Sequence, residues 1–109
     1  MKRKTNGDYE IYERQATLCK AFANPTRLHL IEMLQKGERW ASELQEGLGI
    51  SKANLSQHLA ILRDKGVLNT RKDANRVYYR VADQRTLQLI VLMREVFCGV
   101  PVPRKRKED

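Results

Sequence analysis

The sequence predicts a mainly α-helical domain with one small β-hairpin, an α+β arrangement of five helices and two strands. Three observations predict it. Before Gly66, apolar residues recur at spacings of three and four, the period of helices with one buried face. Between Gly66 and Asp83 the period shortens to two, the alternation of a half-buried strand. Asn24-Pro25, Gly37, Ser51 and Gly66 fall where these segments start and stop. The 109 residues are enough for one domain with a modest core.

The first helix is expected over residues 8–23, where Tyr12, Ala16, Cys19 and Ala23 share a face. Asn24 interrupts it and caps the next helix, over 25–36, with Pro25 in its first turn. Leu30, Ile31 and Leu34 point inward there, and Gly37 stops it. Arg39-Trp40 reads as a short extended link. Ser42 is the expected cap of a third helix, over 43–48, ended by Gly49. Ser51 caps a fourth, over 52–65, ended by Gly66. Two helices joined by a tight glycine-containing turn, the second well capped, make the outline of a helix-turn-helix.

Residues 67–72 and 76–81 are rich in strand formers. Val77, Tyr79 and Val81 alternate with Arg76, Tyr78 and Arg80, so one face is buried. Asp73-Ala74-Asn75 joins the two, and Asn75 suits the left-handed backbone of a tight hairpin. This is a two-stranded wing. A fifth helix, over 84–98, is apolar nearly all round through Leu87, Leu89 to Met93, Val96 and Phe97. One small domain cannot cover it on every side, so a homodimer built on the first and last helices is expected. The domain proper is read as residues 9–98, between a disordered basic N-terminus (1–8) and a basic C-terminal tail (99–109).

Lys and Arg total 21 against 13 acids, a formal charge of +8 that favours a polyanionic partner, nucleic acid first. Part of the excess sits in the terminal runs, Lys2 to Lys4 and Arg104 to Lys107, which read as solvated tails. The middle of the chain must therefore carry the argument. At 100° per residue Leu55, Leu59 and Leu62 form the core stripe of the fourth helix. Opposite lie Ala53, Ser56, Gln57, Ala60 and Asp64, with Lys52 and Arg63 at the margin. Small side chains let a helix press into the major groove, and Gln can pair with the N6 and N7 edge of adenine. An ordinary solvated face would carry more Glu and Lys. Arginines at the wing tip can straddle phosphates or enter a narrow minor groove. The candidate DNA contacts are therefore Lys52, Ala53, Asn54, Ser56, Gln57, Arg63, Arg71, Lys72, Asn75 and Arg76, with Lys65 adding a phosphate contact. His58, beside the leucines, reads as a part-buried, hydrogen-bonded histidine.

Other classes are disfavoured. No run approaches the roughly 18 apolar residues of a membrane span, and no apolar segment follows the basic N-terminus as in a secretory signal. A cytoplasmic location is expected, with Cys19 and Cys98 as thiols. They form no C-x-x-C pair, and no cofactor or metal is expected. There is no Gly-rich phosphate loop, no H-E-x-x-H and no nucleophile with a base, so the chain does not read as an enzyme.

Several segments together resemble one family. Ala21-Phe22-Ala23-Asn24-Pro25-Thr26-Arg27-Leu28 is similar to the opening of helix two in ArsR/SmtB regulators. Glu43-Leu44, Leu48-Gly49-Ile50-Ser51 and Leu55 through Arg63 resemble that family's helix-turn-helix, and Gly66 through Val81 its wing. The resemblance runs over about residues 16–98. It implies a winged helix-turn-helix homodimer on an inverted-repeat operator, usually repressing until an inducer binds. The family's metal-sensing Cys-x-Cys has no counterpart in Arg39 to Leu44, and its last-helix zinc ligands find Asp83 but no His. The thiol-based branch, with the haemolysin-gene activator and sulfide-responsive repressors, is the most similar. Cys98 matches one of its two cysteines; the other lies in helix two, whereas the second thiol here is Cys19 in helix one. A thiol switch then requires the two Cα atoms to come within about 7 Å, within or between chains. Three readings stay open: a redox switch on Cys19 and Cys98, a regulator whose cysteines are merely structural, and an arsenite or soft-metal site across the dimer. An RNA- or protein-binding winged helix is a further class.

Overall fold

Asn24 shows how the sequence cuts the chain into helices. A computed structural model describes residues 7–99; the expectations for the terminal runs at 1–6 and 100–109 lie outside the described residues. Helix α1 (Gly7–Phe22) stops just before Asn24, whose extended backbone cannot continue it. The Asn24 side chain then accepts a hydrogen bond from the Arg27 amide at 3.1 Å and starts α2 (Pro25–Met33), with Pro25 in the first turn where no amide is needed. The expected end at Lys36 is corrected. From Leu34 the amides bond three residues back, Leu34 to Ile31 and Gln35 to Glu32, and Gly37 closes the segment at φ 135°.

Arg39–Trp40 forms a strand, β1, rather than a simple link. Helix α3 (Ala41–Leu48) begins earlier than expected, and Ser42 is not its cap. The carboxylate of Glu43 instead reaches back to accept from the Trp40 amide at 3.0 Å. Ser51 does cap α4 (Lys52–Asp64), its hydroxyl accepting from the Asn54 amide at 3.1 Å. At the far end the Val67 amide bonds the Leu62 carbonyl and the Gly66 amide bonds Arg63, the paired closure that a left-handed glycine permits. Strands β2 (Leu68–Asp73) and β3 (Arg76–Val81) make the hairpin. Asp83 opens α5 (Arg85–Cys98) by accepting from the Arg85 amide at 2.9 Å.

The sheet has three antiparallel strands in the order β1-β3-β2, so the two-stranded wing gains β1 on the far side of β3. At the turn it is Ala74, not Asn75, that takes positive φ, at 57°. The core is built on α2, which packs against α1, α3, α4 and α5. Leu30, Ile31 and Leu34 of this segment are fully buried, with Leu44, Leu55, Leu59, Leu62, Leu68, Val81 and Ile90 around them. The expected inner face of α1 is not inside: Tyr12, Ala16, Cys19 and Ala23 are all exposed, and over residues 9–22 of that helix only Ala21 is buried. Helix α5 buries only Ile90. Its Leu89, Leu92, Met93, Val96 and Phe97 form an exposed stripe at helical spacing, with Phe97 81% exposed. Among the described residues no helix is long and apolar enough to cross a membrane.

Candidate nucleic-acid interface

Helix α4 divides its residues by side. Leu55, Leu59 and Leu62 anchor it in the core, while Lys52, Ala53, Asn54, Ser56, Gln57 and Arg63 are exposed. Ala60 is half-buried. With Ser51 occupying one amide and no acidic residue in the first turn, the positive end of the helix dipole is left unmatched by side-chain charge. The face offers small groups, short hydrogen-bonding groups and basic margins. Arg63 sits 3.5 Å from Asp64, an exposed pair of little strength.

His58 is half-buried, as its place on the flank suggested. Arg27 donates to its Nδ1 at 3.1 Å, and to the carbonyls of Ala21 at 2.7 Å and Lys20 at 3.4 Å. Burial, and then the neighbouring Arg27 charge, hold the His58 imidazole below its ordinary pKa. A guanidinium can only donate, so Nδ1 is the acceptor of this contact.

In the sheet, cross-strand partners share a face and successive residues alternate. Leu68, Tyr79 and Val81 face the core. Trp40, Arg71 and Tyr78 stand in register on the outer face, with Arg76 two residues from Tyr78. Lys72, paired with Val77, lies on the opposite face from Arg71 and Arg76. Asn75 is exposed in the turn. The structure thus brings Arg71 and Arg76 together and separates Lys72 from them. It joins α4 to the wing through the contact of α4 with β2.

The two arginines differ in their neighbours. Arg71 grips Glu38 through both Nε, at 3.1 Å, and Nη2, lies 3.7 Å from Asp73, and stacks 4.5 Å over the Tyr78 ring. These hydrogen bonds hold the Glu38 carboxyl below its ordinary range and raise Arg71. Arg76 stacks 4.3 Å over the Trp40 ring. Glu38 and Trp40 are the residues that sequence reasoning missed. Glu38 and Arg71 stand 33 positions apart, and no periodicity links them.

Cys19 and Cys98 are free thiols, both exposed. Among the described residues no three His, Cys, Asp or Glu side chains converge as a metal site would require.

Comparison with known proteins agrees with this geometry. A family model described as bacterial regulatory protein, arsR family, matches residues 24–70. The biofilm growth-associated repressor of Xylella fastidiosa (strain 9a5c) is 35% identical over 84 residues, 77% of this chain and 74% of the relative. The transcriptional activator HlyU of Vibrio cholerae is 39% identical over 85 residues, 78% of this chain and 79% of that one. The solution structure of a homodimeric winged helix-turn-helix DNA-binding domain from Mycobacterium bovis, Mb0332, superposes with a TM-score of 0.76 at 27% identity, over 88% of this chain and 89% of that one.

Proposed function

The chain belongs to the ArsR family of bacterial regulatory proteins and is a winged helix-turn-helix transcription regulator, and from that premise we propose that it works as a homodimeric repressor on an inverted-repeat operator. The observation that carries this reading is the two-sidedness of α4: a leucine stripe fixes it to the core and leaves Ser56, Gln57 and Ala53 exposed. Gln57 reads a base edge in the major groove, Ser56 and Asn54 assist at the helix start, and Ala53 permits close approach. Lys52, Lys65 and Arg63 contact phosphate beside them, and the wing residues Lys72, Asn75 and Arg76 meet the flanking backbone. Two-fold symmetry places the half-site centres about one helical turn, or a multiple, apart.

The homodimer reading rests on the exposed stripes of α1 and α5, whose apolar residues a second copy would cover. The signal is read as a thiol one: Cys19 and Cys98, both exposed, react with an oxidant or polysulfide, are bridged across the dimer and change operator affinity. A transcription regulator of this kind acts in the cytoplasm, and the reading assigns no catalytic role. Fluorescence anisotropy on the protein's own upstream DNA tests it, reduced and then treated with polysulfide, with duplex RNA of the same sequence as control. Tight binding of the reduced protein to DNA over RNA is the expected result; equal binding to both overturns the DNA reading. Cys19→Ser and Cys98→Ser should each keep reduced affinity and lose the polysulfide response. If both respond like wild type, the thiol reading is wrong.

A further inference from the structure

Two arginine–aromatic stacks stand side by side on the outer face of the wing sheet: Arg71 on Tyr78 and Arg76 on Trp40. They look equivalent in sequence and are not equivalent in charge. Both nearby carboxylates serve Arg71. Glu38 takes its Nε and Nη2, and Asp73, although paired across the hairpin with Arg76, lies 3.7 Å from Arg71. Arg76 has no carboxylate partner among the described residues. Its flat face is held by the indole, so the N–H groups around the guanidinium rim point sideways, where a phosphate or groove edge can meet them.

We infer that Trp40 is a positioning residue for nucleic-acid binding, presenting Arg76 as the anion-contacting arginine of the wing, while Glu38 withdraws Arg71 from that role. The inference rests on the DNA reading above and sharpens it. β1 makes this placement possible: its pairing of Trp40 with Tyr78 sets the indole beside Arg76, two residues from Tyr78. A stack of this kind restricts a long, flexible side chain before the ligand arrives, which lowers the ordering cost of binding.

The test is a salt series of anisotropy titrations on a duplex from the protein's own upstream DNA. Each phosphate contact contributes about 0.9 to the slope of log affinity against log salt, so two wings contribute about two. Arg76→Ala should flatten the slope by that amount and Arg71→Ala should leave it unchanged. Glu38→Gln should steepen it by releasing Arg71. Trp40→Leu should weaken binding roughly five- to thirty-fold, as expected for loss of one exposed cation–π stack in each of two wings. Trp40→Phe should restore most of that, and Trp40→Leu should cost nothing further in an Arg76→Ala background. Trp40 is the only tryptophan, so its emission reports directly on the stack. Operator should shift it in the wild type and in Arg71→Ala, and not in Arg76→Ala.

Equal flattening by Arg71→Ala, or an undiminished Trp40→Leu loss without Arg76, overturns the inference while leaving DNA binding intact. Absence of wild-type binding to any duplex overturns both. Should Trp40→Leu fail to fold by circular dichroism, the Arg71, Arg76 and Glu38 arms and the emission shift still decide.

Discussion

Leu92→Ala should break the dimer without unfolding the chain. Leu92 lies in the middle of the exposed α5 stripe and keeps 55% of its surface exposed within its own chain. Full burial of a leucine is worth about 1.5–3 kcal/mol, so covering the remaining half contributes about 1–1.5 kcal/mol. A two-fold interface uses every residue twice, which brings the total to about 2–3 kcal/mol. At 1.4 kcal/mol per tenfold, the dimer dissociation constant rises roughly 30- to 100-fold. Leu92→Glu goes further, because an unpaired carboxylate would have to be buried against apolar neighbours. Sedimentation equilibrium measures the association and circular dichroism the fold. Operator affinity should fall in step, since a monomer holds one half-site. Wild-type association of Leu92→Glu would refute the reasoning and move the interface off α5.

His58→Gln tests the pH dependence. The folded chain favours neutral His58, so stability is unaffected above the ordinary value of 6.5 and is lost as pH falls from there through the depressed folded value; thermal melts from pH 7.5 to 4.5 should show this acid loss reduced in the variant, and an identical profile would count against it. Gln57→Ala should relax discrimination at one base pair per half-site, a cost of roughly 1–3 kcal/mol for the preferred base only. Competition with single-base operator variants reads it, and uniform loss on every sequence would exclude base reading. Ala74→Gly should stabilise the chain by about 0.5–1 kcal/mol, since a left-handed non-glycine residue costs roughly 1–2 kcal/mol and the greater freedom of unfolded glycine returns part of it. Urea unfolding measures that gain, and a loss of stability would show that Ala74 is not strained at φ 57°.

The elements that were legible in the sequence are those set by local chemistry. Asn24 and Ser51 cap by hydrogen bonds spanning three residues, and a window of that size is visible in a single sequence. The α4 leucine stripe and the alternation of β3 are periodic signals. What escaped was non-local or too short. β1 has two residues, too few to alternate, and only its pairing with β3 makes it a strand. Ser42 was a sound cap by type, yet Glu43 could reach the Trp40 amide and moved the start of α3. The Glu38–Arg71 clasp requires β1 and β2 to be brought alongside β3 first. In α1 the periodicity placed the helix, but Tyr12, Ala16, Cys19 and Ala23 are exposed, so nothing among the described residues covers the face it predicted.

Arg27 shows how a change in α1 would be felt at α4. Its guanidinium is held by the carbonyls of Lys20 and Ala21, the two residues after Cys19, and by His58 of α4. The backbone of Arg27 is itself fixed, because its amide closes the Asn24 cap. A shift of the last turn of α1 must therefore stretch these bonds or carry the guanidinium with it, and either outcome is registered at the flank of α4. Contact alone does not establish energetic coupling between sites. A double-mutant cycle on Arg27→Lys, which keeps the charge and loses the fork, and His58→Gln, read as the change in operator affinity on polysulfide treatment, measures it. Additive effects would mean that the thiol signal reaches α4 by another route, through the core of α2 or across the dimer. A non-additive term would assign the relay to the Arg27–His58 contact.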